Sequence, residues 1–183
     1  MAFWDEEHQD RMKNIEIAWK NLYDLTELAK SDGINDIFQD NGAKVLQQLF
    51  MSNMQFLPGR QGNDAIDENG IEWEFKSINT QTTASGFVTD HHTTYELLDR
   101  FNSIPWLFSI YHGIQLQEMY VISPGKLDDW VKHQRENLDK REPDNKTLNN
   151  PKIPIKYVKN NGVKVYPIDG KMINPANYDR KVD

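Results

Sequence analysis

The sequence predicts a mixed α/β fold, with helices before and after a mainly antiparallel or mixed sheet. Near the N-terminus Met12, Ile15, Trp19 and Leu22 recur at helical spacing and form one apolar stripe. An Asn69-Gly70 pair precedes a run over 71–79 that begins by alternating apolar and polar residues with period two, the mark of a strand. Two apolar stretches, 105–111 and 114–122, meet at His112-Gly113 as a pair of adjoining strands would.

Taken in order, residues 5–30 read as a helix whose stripe continues through Leu25 and Leu28, with Gly33 as its stop. A second helix is expected over 41–50, with Val45, Leu46, Leu49 and Phe50 inward. Leu57-Pro58-Gly59-Arg60 is a loop, and Asn69-Gly70 has the composition of a type I′ hairpin turn. Residues 80–89 are polar and read as loop or irregular strand, followed by a helix near 94–102. Pro124 suits the first position of a helix running to about 138. Residues 139–151 read as loop. Residues 153–158 and 163–168 flank Asn161-Gly162 and predict a second hairpin.

At 183 residues the chain is long enough for one domain with a sizeable core. It has no cysteine, which excludes disulfides, thiolate zinc sites and cysteine nucleophiles. No apolar run approaches the length of a membrane span, and the acidic start Trp4-Asp5-Glu6-Glu7 does not resemble a signal peptide. A soluble, cytoplasmic protein is the expectation. The net charge of −7 argues against a uniformly basic nucleic-acid binder, but the charge is segregated. Residues 1–40 carry ten acids and four bases, and residues 61–100 carry eight acids and two bases. Residues 146–164 carry five lysines and no acid. Acidic residues that hold a cation, with basic residues elsewhere, are compatible with binding a phosphate backbone. A solvated lysine-rich hairpin explains the same run.

The chemistry-bearing motif is Asp64 followed by Glu74-Phe75-Lys76. Two carboxylates and a lysine at this spacing suit a magnesium-dependent phosphodiesterase. Carboxylate oxygens hold a hard cation, the cation polarises a phosphate and acidifies a water, and the lysine acts as a point charge. On a strand over 71–79, Ile71, Trp73 and Phe75 would share one face, and Glu72, Glu74 and Lys76 the other. Asp64, on the preceding arm, would reach the same patch. An ordinary strand with a solvated charged face is the alternative.

His91 and His92 are adjacent. On a strand they would point to opposite sides, which disfavours a shared zinc, while a polar segment lets them hydrogen-bond to base edges. Asn149 and Asn150 can pair with adenine or simply form a turn before Pro151. Asp40, in Asp40-Asn41-Gly42, can cap a helix or reach a groove.

Longer strings extend these fragments: Ile34-Asn-Asp-Ile-Phe-Gln-Asp-Asn-Gly42, Leu57-Pro-Gly-Arg60, Gly62-Asn-Asp-Ala65, Lys76-Ser-Ile-Asn79, Asn149-Asn-Pro-Lys-Ile-Pro154 and Lys156-Tyr-Val158. Together they closely resemble the PvuII family of type II restriction endonucleases, within the PD-(D/E)xK superfamily, from about residue 24 to 166. The resemblance implies a restriction-endonuclease-like fold: a mixed central sheet flanked by helices, a β-hairpin DNA-reading region and N-terminal dimerisation helices. It implies one nuclease domain over 1–183, with dimerisation helices in about 1–40, catalytic and recognition parts in 41–166 and an extension over 167–183. It implies a bacterial homodimer cutting both strands of CAGCTG at its centre to leave blunt ends, with a protecting methyltransferase in the same cell. By similarity Asp64 and Glu74 bind magnesium, with manganese as a further candidate, and Lys76 is catalytic. His91, His92, Asn149 and Asn150 read bases, Asp40 reaches the minor groove, and Ser77 and Lys152 contact DNA.

The chain departs from the family at several of these places. Phe101 stands at a tyrosine position, Gln61 at a glutamate, Asp90 at a histidine and Val88 at a serine, and the N-terminus differs through about residue 23. Because Phe101 and Gln61 remove polar groups near the phosphate, a weakly active or non-catalytic DNA-binding homologue is the competing reading. A repair or nicking nuclease of the same superfamily is a third.

Overall fold

The computed structural model of the chain describes residues 6–31, 42–57, 63–142 and 147–167. Helices α1 (Glu6–Ser31) and α2 (Gly42–Ser52) come first, then strands β1 (Gln55–Phe56), β2 (Ala65–Ile66), β3 (Glu72–Asn79) and β4 (Gly86–Val88). Helix α3 (Tyr95–Ser103), strands β5 (Trp106–His112) and β6 (Gln115–Ile122), and helix α4 (Asp128–Asp139) follow. The chain continues through β7 (Lys152–Pro154), α5 (Ile155–Asn161) and β8 (Val163–Tyr166). The main sheet has the order β1-β2-β3-β5-β6-β8, and β4 and β7 form a separate two-stranded ribbon. Among the described residues only β3 and β5 pair in parallel; the other neighbours are antiparallel. This is the mixed sheet flanked by helices that the sequence predicts.

The sheet is buried on both faces, which is why its central strands read as near-continuous apolar runs. Along β5, Trp106, Phe108 and Ile110 join a core with Leu98 of α3 and Trp130 of α4. The intervening Leu107 and Tyr111 join a second core with Met51 of α2 and Trp73 of β3. Each alternate residue thus anchors a different helical layer. Helix α3 begins as its sequence suggests: Thr94 caps it, its side-chain oxygen accepting from Leu97 N–H at 3.4 Å.

The structure departs from expectation at three turns. The hairpin between β2 and β3 is not a two-residue type I′ turn. Gly70 N–H donates to Asp67 C=O at 3.1 Å, and Asp67 N–H donates to Ile71 C=O at 3.0 Å. Gly70 adopts φ 78°, while Asn69 is not left-handed. Asp67 explains the longer loop, because its buried carboxylate accepts from the N–H groups of Asn69 and Ile71 and from the Trp73 indole. Ile71 is consequently left outside the strand, 48% exposed, instead of sharing the buried face of Trp73.

Pro124 opens a turn over 124–127, and the helix itself starts at Asp128. Asp128 and Asp129 occupy the first turn, where the helix dipole favours acids. The second hairpin is absent. Residues 155–161 form α5, and β8 pairs with β6, Val121 opposite Val163. Ile155 and Val158 stand three apart, so a helical turn puts both inward, and Val158 is fully buried. Gly162 ends the helix, its N–H donating to Val158 C=O at 2.8 Å. An added Cβ there would lie 2.7 Å from that same oxygen. Lys159 of α5 and Lys164 of β8 both pair with Glu118, so part of the lysine-rich run is neutralised inside the fold.

Candidate active site

Strand β3 carries the centre of the site. Its odd residues Trp73 and Phe75 face the α2 side, which leaves Glu74 and Lys76 on the α3 side. Lys76 Nζ lies 5.8 Å from the centroid of the Trp106 ring on the neighbouring strand. The solvated charged face considered from sequence is overturned: Glu74 is 3% exposed. Lys76 Nζ donates to Glu74 Oε1 at 2.6 Å. Glu74 Oε2 is buried without a hydrogen-bond partner among the described residues. Asp64 sits just before β2, and its Oδ2 accepts from Phe75 N–H at 2.8 Å. The backbone of β3 therefore fixes Asp64 beside Glu74 although nine residues lie between them.

Burial sets the electrostatics. It raises the Glu74 carboxyl from its ordinary 4.5 to about 7, with Asp64 and Asp90 adding to the rise and Lys76 opposing it. Asp64 is also raised, first by burial, against the opposing Phe75 hydrogen bond and the Lys76 charge. Burial alone would lower Lys76, but Glu74 and the other carboxylates outweigh it and hold the ammonium above its ordinary value. Lys76 thus remains a cation and a hydrogen-bond donor. Two carboxylates that resist ionisation, one with an orphaned oxygen, gain from a cation placed between them and solvent.

The described residues gather no group of three or more His, Asp or Glu side chains for a metal. Magnesium needs no such cage, since it commonly binds through one or two carboxylates plus waters and substrate phosphates. Asp64 and the free oxygen of Glu74 fit that mode. Both Asp64 and Lys76 line a cleft of about 430 Å³, together with Ser77, Asn79, Gly86 and Val88.

The ribbon of β4 and β7 borders this cleft through Gly86 and Val88, and the segments that continue from its strands carry His91, His92, Asn149 and Asn150. Thr89 N–H and its hydroxyl both donate to Pro151 C=O. Thr93 and Leu148 exchange backbone hydrogen bonds at 2.9 and 3.0 Å. These straps bring His91 against Asn149, with His91 Nδ1 3.0 Å from Asn149 Oδ1. The histidine pair lies in a turn, not on a strand, because His92 adopts φ 55°. Asn150 is likewise left-handed, at φ 49°. His91, His92, Asn149 and Lys152 are exposed, and Asn150 is half-buried. Asp40 and Gln61 lie outside the described residues. Phe101 is fully buried, edge-on to Trp106 at 5.2 Å, so its position serves the core. Val88 is 47% exposed on β4.

Two charged residues at the site were not among the candidates. Asp90 lies 3.7 Å from Lys76 and 3.7 Å from Arg100. The charge count marks Arg100, which with Lys76 makes up the lysines and arginines of residues 61–100 amid eight acids, but it does not mark Asp90 or the meeting of the three.

Among protein families, a model described as Restriction endonuclease PvuII matches residues 10–166 of this chain. The match takes in residues 10–23 as well as the stretch from residue 24 to 166.

Proposed function

We propose, for a chain that belongs to the PvuII restriction endonuclease family and so is a type II site-specific deoxyribonuclease, magnesium-dependent hydrolysis of both strands of DNA at a palindrome. The fold is restriction-endonuclease-like, and restriction endonucleases generally use divalent metal ions. The palindrome is CAGCTG, cut at its centre to leave blunt ends, and manganese is the alternative ion. No helix of the described residues is long and apolar enough to cross a membrane.

The observation that best supports this reading is that Asp64 and Lys76, the latter paired with buried Glu74, line one cleft with Gly86 and Val88 of the ribbon beyond which His91 meets Asn149. Asp64 and Glu74 would hold the metal. When bound, it would polarise the phosphate and acidify an attacking water. Lys76, kept protonated by Glu74, donates to the phosphate or the water and offsets the negative charge that builds during attack. Asp64 is kept in register by the Phe75 N–H, so its orientation does not depend on a ligand. The water oxygen adds to phosphorus and gives up one proton to solvent, the bond to the leaving oxygen breaks, and that oxygen takes up one proton from solvent.

Recognition falls to the ribbon. With Asn149 Oδ1 accepting, His91 carries its proton on Nδ1 and presents Nε2 as an acceptor, while Asn149 Nδ2 remains a donor. A donor and an acceptor held side by side match the hydrogen-bonding pattern of a base edge in the major groove. His92, Asn150, Lys152 and Ser77 extend the contact surface, and Asp40 reaches the minor groove. A homodimer through α1, which exposes Ile17 (63%) and Tyr23 (41%), supplies the two-fold symmetry that a palindrome needs. A methyltransferase in the same cell protects the host sites.

Digestion of a plasmid bearing CAGCTG sites, with magnesium and with EDTA, tests this reading. Discrete metal-dependent bands at those sites are expected; nicking or smearing without site preference would overturn it. Lys76→Ala should bind the same DNA without cutting it, and full activity in that variant would refute the role given to Lys76.

A further inference from the structure

We propose that Arg100 is a substrate-contacting residue that grips the DNA phosphate undergoing cleavage. The inference rests on the DNA-cleavage reading above. Arg100 lies on α3, opposite the face of β3 that carries Glu74 and Lys76. Its Nη2 is 3.7 Å from Asp90 Oδ2, and the other oxygen of Asp90 is 3.7 Å from Lys76 Nζ. One carboxylate thus brings the two cations of the site together. At 3.7 Å the contact is an ion pair and not a hydrogen bond, so the guanidinium keeps its directed donors for another acceptor. Its Nε is buried and has no hydrogen-bond partner among the described residues. A buried donor without a partner is costly, and an incoming oxygen relieves that cost.

The placement also suits the task. Its Cζ lies 6.0 Å from the ring centroid of buried Phe101, within reach of a cation–π contact. The side chain is 36% exposed, open enough to meet a ligand and too buried to swing freely. Its charge is felt at Asp64, whose ionised form it favours. Asp64, Glu74 and Asp90 outnumber Lys76 and Arg100, so a bare site repels a phosphate, and the forked guanidinium is the group best shaped to bind two phosphate oxygens. Asp90 holds Arg100 at the rim as a carboxylate stand-in, and the phosphate takes its place.

The test compares wild type with Arg100→Ala and Arg100→Lys on the DNA site that wild type cuts. Single-turnover cleavage with magnesium should fall about 10²- to 10³-fold in Arg100→Ala, with partial recovery in Arg100→Lys. Thermal melting should show both variants folded; if Arg100→Ala fails to fold, Arg100→Lys carries the comparison. Binding is then measured with magnesium present, which offsets the carboxylates, in the Lys76→Ala background with a duplex whose scissile phosphate is replaced by an uncharged methylphosphonate. That replacement should weaken binding about 10- to 100-fold when Arg100 is present and have little effect when it is removed. Additive losses, or wild-type cleavage by Arg100→Ala, would overturn the inference alone. Absence of any cleavage by wild type would sink the endonuclease reading and this inference with it.

Discussion

Glu74 is the buried carboxylate of the candidate site, and its burial makes a measurable demand on stability. Its carboxyl is raised from 4.5 to about 7, so between those pH values the folded state holds a proton that the unfolded state has released. The unfolded state then binds fewer protons, and stability falls as pH rises through this window. Glu74→Gln removes the titration. In EDTA the variant should match wild type near pH 4 and exceed it at pH 8, by an upper bound of roughly 3 kcal/mol. Denaturant melts at the two pH values decide; a variant weaker than wild type at pH 8 would show that the Lys76 pairing outweighs desolvation. His92 stores strain of another kind, since φ 55° is unfavourable for a residue with a Cβ. His92→Gly should therefore fold as stably as wild type or better, by up to about 1 kcal/mol, while cleavage at the recognition site declines. A marked loss of stability would mean that the imidazole holds the turn together. Asp64, Glu74 and Lys76 were legible in sequence because their spacing is a motif. Asp90 and Arg100 were not, because they belong to different elements and meet only through the packing of α3 on the sheet.

The strands that carry both core faces were predicted within a residue or two, since β5 and β6 have long apolar runs. Helix α5 was missed because seven residues are too few to show a period, and Asn161-Gly162 mimics a hairpin turn when it in fact ends a helix. The ribbon of β4 and β7 was only half visible: β4 has three residues, and its partner lies more than sixty residues away in the chain. Its closeness depends on Gly86, where an added Cβ would lie 2.9 Å from Ile153 C=O and 3.2 Å from Lys152 Cβ. Neither atom is the free end of a flexible chain, so the strands must separate. Gly86→Ala should cost about 1–3 kcal/mol in stability. It should also loosen the straps that hold His91 against Asn149, so discrimination between the recognition site and a one-base variant should fall further than nonspecific affinity does. Equal losses on both duplexes would indicate that the ribbon contributes affinity without reading sequence.

At the scale of the whole molecule, a protein with net charge −7 must bind a polyanion. Nonspecific affinity for DNA comes largely from cations that neutralise phosphates, and here two lysines of the basic run are already paired with Glu118. The cleft adds to the difficulty, because three carboxylates surround Lys76 and Arg100 where a phosphate would have to sit. Coulomb repulsion inside a half-buried cleft is only weakly screened by salt. Binding should therefore be poor in EDTA at pH 8 and should improve as pH falls toward 6, where Glu74 takes up its proton and one negative charge is lost. A divalent cation should have the same effect at constant pH. The double variant Asp64→Asn, Glu74→Gln removes the same repulsion without any metal. It should bind the recognition duplex in EDTA at least about tenfold more tightly than wild type does, while cutting nothing. Fluorescence anisotropy at fixed ionic strength measures each case. If the double variant binds in EDTA no better than wild type, the acidic cleft is not the barrier to association, and the need for a cation lies in the cleavage step alone.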